Sequence, residues 1–97
     1  MRNNIAYDSL NEVVKMGLEL LNKYHNELTE DLFKIWFDYS IKVLDMLSGY
    51  NRFSKSIDPS IQINYLRLAI QLASPYLTAT QKLTSCLNYL IEVMNRI

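Results

Sequence analysis

The chain has one cysteine, one histidine, two glycines and two prolines in 97 residues, and each scarcity removes a class of protein. The lone Cys86 cannot form an internal disulfide, so the sequence suits a reducing, cytoplasmic setting. One cysteine and one histidine leave no pair at zinc-ligand spacing. His25 and Glu27 do form His-x-Glu, as in zinc deaminases, but the cysteine pair those enzymes need is missing. Two isolated glycines cannot build a phosphate-binding loop. No apolar run approaches the ~18 residues that span a bilayer, and no N-terminal stretch has the charged-then-apolar order of a signal peptide. No metal or cofactor is expected. So few glycines and prolines also leave little material for turns, which favours a few long helices over many short strands.

An excess of charge of one sign is lacking too. Ten basic and ten acidic residues cancel, whereas a protein that neutralises many phosphates usually carries a basic surplus. The balance is uneven along the chain. Asp8, Glu12, Glu19, Glu27, Glu30 and Asp31 outnumber Lys15 and Lys23, while bases outnumber acids after Tyr50. What is abundant is apolar surface, at 49% of residues, with seven Tyr, three Phe and one Trp.

The apolar positions predict an all-α fold, an antiparallel bundle of about four helices formed by residues 1–97 as one domain. The first helix is predicted to begin near Ser9, with Ser9 and Glu12 as a capping box. Leu10, Val13, Val14, Gly17, Leu18, Leu21 and Tyr24 then recur on one face, and Glu12, Lys15, Glu19 and Lys23 form the wet one. Gly17 on the apolar face implies a close approach of another helix, because glycine inside a helix otherwise costs about 1 kcal/mol. His25 falls at the helix's C-terminal end, where an imidazole interacts favourably with the helix dipole.

The second helix is predicted from an N-cap at Thr29 to Ser48, with Gly49 as a left-handed C-terminal cap. Its solvent stripe is thin: Asp31, Lys34, Asp38, Lys42 and Asp45. Asp58 and Pro59 open the third helix, and Pro75 ends it. Arg67 is the one charge in that helix's polar stripe, and Ile63 and Ile70 lie seven apart, off the main apolar face. Thr78 and Gln81 form a capping box for the fourth helix, whose Leu83, Leu87, Leu90, Met94 and Ile97 make a narrow seam widened by Cys86 and Ile91.

Catalysis needs titratable groups brought together, and this chain offers few, so a non-enzyme is expected. Cys86 on an apolar seam reads as a buried, inert thiol. Two other features invite a partner. The connection containing Tyr50, Arg52, Phe53 and Lys55 interleaves aromatics with bases, the composition that stacks nucleobases and holds phosphates. Helices three and four also admit a helix-turn-helix reading, with Thr80, Gln81, Lys82, Ser85 and Asn88 toward a major groove. The surplus apolar surface of helices two and three points instead to a protein partner and to a homodimer, with Trp36, Tyr39, Ile63 and Ile70 as candidate contacts.

Ile57-Asp58-Pro59, Ile63-Asn64-Tyr65-Leu66 and Leu77-Thr78 with Gln81 resemble the corresponding stretch of the immunity proteins of pediocin-like bacteriocins. The resemblance spans residues 57 to 91 and implies a small cytosolic four-helix bundle that protects a producer from its own peptide. That family is typically more charged and keeps its specificity beyond its fourth helix, so no functional residue carries over. Small accessory proteins of phages and archaeal viruses are similar in the same general way. The function expected is sequestration or blocking of a macromolecule, of the immunity, antitoxin or viral anti-defence type. The alternative is a nucleic-acid-binding regulator using the 50–57 loop or helix four.

Overall fold

A computed structural model of the protein describes residues 5–49 and 57–96. Four helices follow one another: α1 (Ile5–Tyr24), α2 (Glu30–Gly49), α3 (Pro59–Leu72) and α4 (Ala79–Arg96), with a 3-10 turn at His25–Glu27. The described residues contain no strand, and the chain is an all-α bundle. Residue pairs fix the helix directions. The Thr80 hydroxyl at the start of α4 donates to His25 O just past the end of α1. Gln62 near the start of α3 reaches Asp45 near the end of α2, and Tyr89 in α4 donates to Ile61 O in α3. Sequential helices are therefore antiparallel. α4 packs against all three others, α2 and α4 approach along the short diagonal, and the backbones of α1 and α3 stand apart at opposite corners.

Several local signals act as the sequence predicts. Thr29 Oγ1 accepts from Leu32 N, and Asp58 accepts from Ser60 N with Pro59 at the first helical position. The Thr78–Gln81 box is reciprocal, with Thr78 N donating to Gln81 Oε1 at 2.9 Å and Gln81 N to Thr78 Oγ1 at 3.1 Å.

Others do not. α1 begins at Ile5, not near Ser9, because the apolar face runs back through the buried Ala6; Ser9 lies a turn inside and caps nothing. Leu18 faces solvent, and Leu20 packs on the core instead. Gly49 is the last helical residue and has no left-handed φ. One of the last carbonyls of α2 is met from outside the helix: Leu47 O accepts from Ile57 N, on the buried residue that precedes α3. The left-handed residue is His25, with φ of 51°, which turns the chain out of α1.

Gly17 does mark a close approach. A Cβ there would stand 2.6 Å from Leu87 Cδ2 on α4 and 3.1 Å from Trp36 Cε2 on α2. Around this point the core gathers Leu10, Val13, Leu44, Leu47, Leu83, Leu87 and Leu90, all close to fully buried.

Candidate functional site

Trp36 sets the geometry between the first two helices. Its indole is inserted beside Gly17, 2% exposed, and Nε1 donates to Val13 O at 2.9 Å. A buried indole needs such an acceptor, and the bond ties the ring's edge to the backbone of α1. Toward the His25 turn, α1 and α2 leave an open apolar groove of about 320 Å³, at the small end of ligand-sized clefts. Leu20, Leu32 and Trp36 form its floor. Met16, Ile35, Tyr39 and Tyr24 stand around it, with Glu19 and Lys23 on the α1 rim.

The rim is unusually apolar for a surface. Ile35 is 68% exposed, and Met16 and Tyr39 are each exposed beside it. Glu19 and Lys23, one turn apart, make no ion pair; Lys23 Nζ lies 5.3 Å above the Tyr24 ring. The ion pairs recorded among the described residues are elsewhere, Lys82 with Glu30 and Arg96 with Glu92.

The four candidate contacts separate on this geometry. Trp36 is a core residue, held by its bond to Val13 O, and meets the groove only as part of its floor. Tyr39 stands on the groove rim. Ile63 and Ile70 are exposed on α3, whose backbone stands apart from α1. The Tyr50, Arg52, Phe53 and Lys55 loop lies outside the described residues. Met16 and Ile35 were missed because the second helix read as apolar around most of its circumference, which singles out no one position such as Ile35, and Met16 was left unassigned. The signal available was their position at the edge of each apolar face, one step beyond the buried Val13 and Trp36.

Two of the α4 residues suggested for DNA have partners within the bundle. Lys82 is largely buried and holds both carboxylate oxygens of Glu30, at 3.2 and 3.3 Å, and Thr80 is bonded to His25 O.

A second polar feature lies wholly inside. Tyr65 is fully buried, its hydroxyl 2.9 Å from Ser40 Oγ, and Ser40 donates to Phe37 O at 2.6 Å. With the serine proton committed, Tyr65 donates to Ser40 and the Cys86 thiol interacts with the tyrosine oxygen. Burial pushes the Cys86 thiol up to about 11, and burial followed by the neighbouring Cys86 pushes the Tyr65 hydroxyl far above its usual range. Neither group is a nucleophile at neutral pH. An aromatic ladder runs through the same place, from Trp36 by Phe33, Phe37 and Tyr65 to Tyr89, with ring centroids 5.2 to 6.3 Å apart. It ties α2, α3 and α4 together as packing.

Among the described residues no three His, Cys, Asp or Glu side chains are placed to hold a metal ion, and no helix is long and apolar enough to cross a membrane. No protein-family model matches the chain, and no curated protein or solved structure is similar enough to count as a match.

Proposed function

We propose that this is a non-enzymatic binding protein that occupies a macromolecular partner through the groove between α1 and α2. The observation that carries the reading is the groove's construction: an apolar floor ringed by the exposed side chains Met16, Ile35 and Tyr39. Exposed apolar patches beside a cleft are the usual mark of an interaction site, and tyrosine and methionine are enriched in such sites. The titratable groups that meet inside the bundle, Tyr65 and Cys86, are sealed in the core. Sequestration or blocking of a protein, as immunity, antitoxin and viral anti-defence proteins perform it, is the activity such a surface serves. The resemblance of residues 57 to 91 to bacteriocin immunity proteins supports that class, and a free buried thiol suits the cytoplasm. A nucleic-acid regulator using α4 draws less support, because Lys82 is already neutralised by Glu30.

The test is affinity capture from the native host with the wild type and Ile35→Glu side by side. A partner held by the wild type and lost by a folded Ile35→Glu supports the reading. A partner held equally by both places the interaction elsewhere.

A further inference from the structure

Helix α3 has two apolar faces, and the bundle uses only one. Ile61, Tyr65, Leu68 and Leu72 turn inward. Ile63, Leu66 and Ile70 turn outward, at 51, 42 and 75% exposure, and the exposed Ala73 continues the line past the helix end. Steps of three, four and three residues give the spacing of a short coiled-coil seam, with isoleucine twice at one core position and Leu66, then Ala73, at the other. Such a seam packs against another helix. We propose that the helix is α3 of a second copy of this chain.

Charge favours a copy over a foreign helix. Arg67, the one charge on α3, is exposed beside the seam and has no ion pair among the described residues. Across the α2–α3 boundary the exposed ridge of α2 presents Asp38, Lys42 and Asp45, Asp45 being drawn to the α3 side by Gln62 at 3.4 Å. One face thus holds the unpaired Arg67, an apolar seam and a ridge in which two carboxylates outnumber one lysine. An acidic partner helix would be repelled by the carboxylates and a basic one by Arg67. A second copy meets both when the two-fold axis runs parallel to α3, because each Arg67 then faces the other copy's net-acidic ridge, and a chain of zero net charge does not repel itself. The seam is short, so the contact falls below standard interface size and is expected to dissociate at about 10–100 µM. It uses a different surface from the proposed partner groove and does not depend on that reading.

Sedimentation velocity of the full chain from about 5 to 500 µM, with circular dichroism as a fold control, tests it. The wild type is expected to shift from monomer to dimer across that range. Ile63→Lys/Ile70→Lys should raise the dissociation constant at least about tenfold, and Arg67→Glu should weaken it without touching the seam. Mixing Arg67→Glu with Asp38→Lys/Asp45→Lys should restore association between the two variants. Ile35→Glu on the groove should leave dimerisation unchanged. A wild type that stays monomeric at the top of the range overturns the proposal. So does a dimer that ignores the Arg67 charge swap, or one that Ile35→Glu abolishes. If the double-lysine variant unfolds, the Arg67 series decides.

Discussion

Trp36 Nε1 and the carbonyl oxygen of Val13 lie 2.9 Å apart, so one side chain of α2 is tied directly to the backbone of α1. Removing the indole by Trp36→Ala should cost about 3–5 kcal/mol, the range for deleting a buried tryptophan. Trp36→Phe keeps most of the volume and loses the bond, and should cost about 1–2 kcal/mol. Urea unfolding of the two variants checks the order. Equal losses would mean that the hydrogen bond, not the packed ring, carries the site.

Gly17→Ala sets two effects of opposite sign against each other. Alanine gains about 1 kcal/mol of helix propensity, but the new methyl meets Leu87 Cδ2 at 2.6 Å and Leu87 Cγ at 3.2 Å. Leu87 is buried and Trp36 on the other side is anchored by Val13, so neither yields freely. Overpacking typically costs about 1–3 kcal/mol, and a net loss of about 1 kcal/mol is expected in chemical denaturation. A stabilised Gly17→Ala would show that α1 and α4 can move apart.

That close approach was legible in the sequence, since a glycine at an apolar helical position has few other reasons to be there. The caps at Thr29, Asp58 and Thr78 were legible for a similar reason: each is a local bond between residues two or three apart. The end of α2 was placed within one residue, but its cap was not legible, because Leu47 O is satisfied by Ile57, ten residues on. The start of α1 was misplaced because a good local cap at Ser9 was weighed above the burial of Ala6. The groove was hidden for a physical reason as well. Helical spacing gives the direction of a side chain, but Ile35 lies at the border of the apolar arc, and whether it is covered depends on the tilt of α1 against α2.

His25→Gly separates two explanations of the α1 terminus. At φ of 51° a histidine is strained where glycine is not, so the substitution should leave stability unchanged or raise it by up to about 1 kcal/mol. If the imidazole's interaction with the helix end mattered more than backbone strain, thermal unfolding would show a loss instead.

The interior chain of Cys86, Tyr65 and Ser40 predicts a loss of stability in alkali. Both raised groups hold their protons in the folded state at pH values where the unfolded chain releases them. Their contribution is therefore complete below about pH 9 and declines as pH rises toward 11, the folded value for Cys86. Urea midpoints should fall across that window, and Cys86→Ala should flatten part of the decline. Ellman's reagent should leave Cys86 untouched at pH 8 until the protein unfolds. A thiol that reacts in the native state would contradict its burial.

The central claim is that the groove between α1 and α2 receives a partner, and methyl-resolved NMR on the complex with the captured partner tests it most directly. Resonances of Leu20, Leu32, Ile35 and Met16 are predicted to shift or broaden on binding, while those of Leu68, Leu83 and Leu90 stay in place. A complex in which the groove methyls are unmoved and the α3 or α4 methyls shift would contradict the account.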